Sequence, residues 1–113
     1  MPLRPAVARF FAGAAISTIA IIHNTAMADE AKAQATLRAA SLAATCANCH
    51  GTNGQGVEGS AVTGLANLSV EYIKTNMIWF KTGQRPATVM HQLAKGYTDE
   101  QIDIIANHLG KKD

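Results

Sequence analysis

In the second half of the chain, apolar residues recur at helical spacing. Val70, Ile73, Met77 and Phe80 follow one another at intervals of three, four and three, which predicts a helix from Val70 to about Thr82. Ser69 stands where its N-cap belongs, and Gly83 stands where it stops. Ile102, Ile105, Ala106 and Leu109 mark the buried face of a last helix, opened by the capping-box pair Thr98 and Gln101 and closed by Gly110. Between these two, Pro86 opens a short helical piece running to about Lys95 and ended by Gly96. Upstream, Asp29 to Thr45 is rich in Ala and Leu and holds neither Gly nor Pro. It predicts a helix with Asp29 as N-cap and with Ala33, Leu37, Ala40 and Ala44 on one face. So many alanines let another helix approach closely. Gly51 to Ser69 carries five of the nine glycines and predicts a loop. No stretch alternates apolar and polar residues as a strand would, so the expected fold is all-α.

The pattern changes before Asp29. Arg4 and Arg9 precede the apolar run Phe10 to Ile22, and small residues follow at Ala26, Met27 and Ala28. This is the layout of a cleaved export signal over residues 1–28, leaving a domain over residues 29–113 destined for the periplasm. The 13-residue apolar run falls short of the roughly 20 residues that a spanning helix needs. Removing the leader leaves 8 basic against 8 acidic residues, so the formal charge of +2 belongs to the leader. A nucleic-acid surface would need a basic excess over the domain. A domain of 85 residues buries a marginal core and calls for an additional staple.

Both cysteines lie in "TCANCHG", Thr45 to Gly51. A disulfide between Cys46 and Cys49 would close only a tiny loop and constrain the unfolded chain little. A thioredoxin-like dithiol needs a strand–helix unit, and none is predicted. A zinc site needs four ligands, and the remaining histidines of the domain, His91 and His108, stand 17 positions apart. The remaining reading is covalent haem attachment: Cys46 and Cys49 form thioethers to the vinyl groups of one haem c, and His50 becomes the proximal iron ligand. A covalently held apolar plate also supplies the missing staple.

Met77, Met90, His91 and His108 are the candidates for the opposite axial position. Met77 lies in an apolar helical stripe, His108 sits near a helix end, and His91 adjoins Met90. Met90 lies in a segment with no stripe of its own, 40 residues beyond His50, and is the leading candidate. Between Tyr72 and Tyr97 the charged residues are Lys74, Lys81, Arg85 and Lys95, with no acid among them. They are expected to form a solvated face, a local docking rim for an acidic partner, or, for Arg85, a contact to a haem propionate.

One Cys-x-x-Cys-His near the end of a first helix, a later Met and a closing helix together resemble class I cytochromes c. "GQRPATVMHQLAKGYTDEQIDIIANHL", Gly83 to Leu109, is similar to the cytochrome subunit of flavocytochrome c sulfide dehydrogenase, itself cytochrome c4-like. The resemblance implies three to five short helices around one haem, with Met90 as iron ligand. Closing helices of that family carry an aromatic that packs on the first helix, and His108 stands near that place. The implied function is single-electron transfer by a protein that is not an enzyme by itself. The implied electron donor is an FAD-containing sulfide dehydrogenase subunit. The alternative is a free diffusible carrier between a respiratory complex and a terminal oxidase or reductase. A third possibility, a five-coordinate haem that binds a gas or peroxide, requires that Met90 not ligate.

Overall fold

A computed structural model describes residues 12–112, with side chains from residue 26 onward. The expected basic n-region, with Arg4 and Arg9, lies outside the described residues. Five α-helices follow in order: α1 (Ala12–Ala44), α2 (Ala47–His50), α3 (Val70–Thr82), α4 (Met90–Leu93) and α5 (Asp99–Leu109). Short 3-10 turns occupy Thr52–Gly54 and Ala94–Gly96. The described residues contain no strand, only an isolated parallel bridge between Ser69 and Lys111. The expected all-α class holds. No described helix is long and apolar enough to cross a membrane.

The chain divides into two units, residues 1–36 and 37–113. The first is helical where it is described, and its described side chains are all exposed. Asp29 lies inside α1 and is not its N-cap, because neither Gly nor Pro interrupts residues 14–44. The second unit holds the packed core. There the covered positions of the helix are Ala39, Leu42 and Ala43, while Leu37, Ala40 and Ala44 are exposed. The expected face is thus rotated by about one residue.

α1 ends at Ala44, where the Thr45 hydroxyl turns back to donate to the Leu42 carbonyl at 2.8 Å. α3 begins as expected: the Ser69 hydroxyl accepts from the Tyr72 N–H at 3.2 Å. It ends at a left-handed Gly83, whose N–H returns to the Phe80 carbonyl. α4 starts at Met90, four residues later than expected, because Pro86 to Val89 is non-helical. α5 carries the complete capping box, with Thr98 and Gln101 bonded reciprocally at 3.1 and 2.9 Å.

Two apolar clusters make the core. Ile73 and Met77 of α3 pack with Ala94 and with Ile102 and Ala106 of α5. Ala43 of α1 packs with Ile105 and Leu109 of α5. Burying Ile102 and Ile105 stabilises by about 1.5–3 kcal/mol each. The small Ala43 lets α5 approach α1, and the exposed His108 takes no part in either cluster. The aromatic that reaches α1 comes instead from the turn before α5. Tyr97 borders both clusters, and its hydroxyl lies 2.6 Å from Thr45 Oγ1. Since the Thr45 proton goes to Leu42, Tyr97 is the donor in that pair.

Candidate functional site

The turn after α1 carries Cys46 into the mouth of a cleft, and α2 brings His50 to the same wall. The cleft is partly open to solvent. Its walls are mostly apolar: Leu65 and Leu68 from the glycine loop, Ile73, Met77 and Phe80 from α3, and Ile105 from α5. Met90, at the start of α4, also lines it, as does Arg85. Residues 44 positions apart, Cys46 and Met90, thus share one space.

Cys46 is half-buried and Cys49 exposed. Burial pushes the Cys46 thiol above its ordinary pKa; the Thr45 hydroxyl opposes this, and Cys49 adds to it. Among the described residues no group of three or more His, Cys, Asp or Glu side chains is placed to hold a metal ion by itself.

His50 is oriented by a partner that residue types do not reveal. Its Nδ1 lies 2.6 Å from the Thr63 carbonyl, which can only accept, so Nδ1 carries the proton and Nε2 keeps a free lone pair. The glycine loop sets that carbonyl in place. Gly56 N–H donates to the His50 carbonyl at 2.8 Å, and the Leu65 and Ala66 N–H groups both reach the Gly54 carbonyl. Gly51, at φ 81°, turns the chain directly after His50.

Of the four candidates for the opposite ligand, Met77 and Met90 line the cleft; His91 and His108 do not. His91 has its Nδ1 buried without a partner, and His108 faces a second, smaller hollow beside Ala40, Ala43 and Ala44. Met77 is 8% exposed and belongs to the α3–α5 core cluster, whereas Met90 only borders that cluster.

Arg85 does not point freely to solvent. Its guanidinium stacks 5.0 Å above the Phe80 ring and donates to Asn76 Oδ1. Asn76, the buried polar side chain of α3, also lines the cleft. Of the lysines in the acid-free stretch, Lys95 is exposed and two others are paired. Lys74 pairs with Asp103 at 2.6 Å, and Lys81 pairs with Asp99 at 2.7 Å and donates to the Tyr97 carbonyl.

The family model for cytochrome c matches residues 35–112. The chain belongs to the cytochrome c family. This cytochrome therefore carries covalently bound haem c, with Cys46 and Cys49 at the two cysteine positions of its attachment motif. With a single attachment motif in the sequence, it is a monohaem electron carrier of that family. It is 46% identical over 69 residues to the cytochrome subunit of sulfide dehydrogenase from Chlorobaculum tepidum, spanning 61% of each chain. It is 33% identical to cytochrome c-554(548) of Halomonas halodenitrificans, covering 61% of this chain and 86% of that protein. Cytochrome c-553 of Desulfomicrobium norvegicum is 32% identical, over 58% of this chain and 82% of its own length. Of the Chlorobaculum protein, the matched stretch spans less than two thirds.

Proposed function

We propose that Cys46 and Cys49 would hold the haem through two thioethers and that His50 Nε2 and Met90 Sδ would ligate its iron. The observation that carries this reading is that Cys46, His50 and Met90 line a single apolar cleft. When bound, the haem supplies one-electron exchange at iron, and a His/Met ligand pair raises its potential. The residues around it do the rest. Thr63 fixes the tautomer and the plane of His50. Leu65, Leu68, Ile73 and Phe80 give the cleft its apolar wall. Met77 is committed to core packing, which leaves Met90 the freer thioether. Arg85 offers a cation to a haem propionate.

The partner in this reading is an FAD-containing sulfide dehydrogenase subunit, where sulfide is oxidised at the flavin. Two facts support it: the likeness to the Chlorobaculum cytochrome subunit, and the surface near the cleft. Tyr72, at the cleft, is 49% exposed, and Val89 and Leu93, which flank Met90 in the chain, are 55% and 51% exposed. The nearby lysines Lys74 and Lys81 are spent in ion pairs. Exposed apolar side chains near the cleft suit a stable subunit better than a diffusing shuttle. Residues 1–28 act as a cleaved export signal in this reading, so the mature domain, residues 29–113, works in the periplasm.

The ligands are tested by the optical spectrum of the oxidised protein. Wild type shows the weak far-red Met-to-ferric-iron band, and Met90→Ala loses it. A wild-type spectrum without the band, with carbon monoxide binding readily to the reduced form, would instead indicate an open site. The partner is tested by co-purification. A flavoprotein that reduces this cytochrome on addition of sulfide supports the subunit, and a cytochrome that purifies alone supports the free carrier.

A further inference from the structure

We infer that Asn76 is a positioning residue that locks the Arg85 guanidinium inside the haem cleft. The inference rests on the proposed Arg85–propionate contact and goes one residue beyond it. An Asn in the middle of an apolar helix face costs both helix propensity and desolvation unless its amide is fully used. Here it is 8% exposed, and both ends of the amide are engaged. Nδ2 donates to the Tyr72 carbonyl one turn back at 2.7 Å, and Oδ1 accepts from Arg85 Nη1. The amide has only one orientation that works, because a backbone carbonyl only accepts and a guanidinium only donates. Leu would serve neither partner, and Asp would face the Tyr72 carbonyl with a second acceptor.

Three contacts hold Arg85 against α3. Its backbone N–H reaches the Trp79 carbonyl at 3.2 Å, its guanidinium lies over the Phe80 ring, and Asn76 takes one N–H. A guanidinium has five N–H donors, so the remaining ones stay available to a carboxylate in the cleft. Asn76 thereby converts a flexible surface cation into a fixed one, removing the rotamer entropy that binding a propionate would otherwise cost. A fixed cation beside the haem favours the state with one more electron and so raises the reduction potential.

The experiment measures the reduction potential of the haem-loaded wild type, Asn76→Leu, Arg85→Gln and the double variant, with the far-red band checked in each. Expected are a lowered potential in both single variants and no further lowering in the double, the signature of two residues acting as one unit. An unchanged potential in Arg85→Gln would remove the Arg85–propionate reading, and this proposal with it. A shift in Arg85→Gln but none in Asn76→Leu would overturn the positioning role alone, as would Asn76→Leu shifts that add fully to those of Arg85→Gln. If Asn76→Leu does not load haem, Asn76→Ala supplies the second arm: it removes the same acceptor without adding bulk, and by the same reasoning its shift must also vanish in the Arg85→Gln background.

Discussion

His50 can act as a ligand only if its ring is held, and the hold depends on a turn that a side chain would spoil. Gly51 adopts φ 81° and ψ 159°, a backbone region essentially reserved for glycine. A Cβ there would come within 2.3 Å of the Gly56 carbonyl oxygen, in the same loop segment that bonds back to the His50 carbonyl. Gly51→Ala is therefore expected to cost at least about 1–3 kcal/mol from backbone strain alone. Denaturant unfolding of the haem-loaded protein checks this, and a loss below a few tenths would show that the loop relaxes without strain. None of this depends on what type of residue stands at 63, because the contact to His50 is a backbone carbonyl. That is why the residue types alone do not reveal the partner that orients His50. Asn76 was different: a polar residue beside Met77, next to an apolar stripe, was a visible irregularity that went unread.

Among the elements, legibility tracked the sharpness of local signals. α3 and α5 stood out because each pairs a Ser or Thr cap with a stripe of large side chains whose phase is unambiguous. The buried set Ile102, Ile105, Ala106 and Leu109 matched the expected one in full. α1 failed in phase because alanine recurs around the whole helix, so several faces look equally apolar. α4 failed at its start because Pro86 suits a turn as well as a first helical position, and the tethering of Arg85 to α3 favours the turn. The cap of α5 yields a direct test: Thr98→Ala should lower stability by about 0.5–2 kcal/mol while leaving the visible spectrum unchanged. Ile105→Ala should do more. Ile105 is 2% exposed, packs on Ala43 and Leu109, and also lines the cleft, so about 2–5 kcal/mol is expected, together with a perturbed haem environment. A cost equal to that of the cap variant would mean that the cleft wall collapses onto the gap.

At the scale of the molecule, charge is arranged to cancel. The acid-free stretch from Tyr72 to Tyr97 suggested a positive rim, yet Asp99 and Asp103 of α5 fold back onto Lys81 and Lys74, and Glu100 meets Arg38 of α1 at 2.9 Å. No reading of that stretch alone could have found partners that lie beyond its end. The hydrogen bond to Asp103 raises the Lys74 pKa above its ordinary value, with the attraction of the same carboxylate adding to it. A raised folded pKa means that this contribution to stability is complete below the ordinary lysine range and is lost as pH climbs through the raised value. Lys74→Met should therefore flatten the alkaline limb of the stability profile and leave the shape near neutrality unchanged, as read by denaturant midpoints across pH. The same cancellation governs encounter. With Lys74 and Lys81 already paired, the charges left to steer a partner are of both signs, and exposed ones act only over a Debye length of about 8 Å at physiological salt. The rate of electron transfer from the partner should then fall only shallowly with ionic strength, as stopped-flow reduction from low to high salt would show. A steep fall would mean that the pairs open at the interface and that the positive rim re-forms on docking. In that case Lys74→Met and Lys81→Met would each reduce the slope, whereas Val89→Asp would affect the complex little.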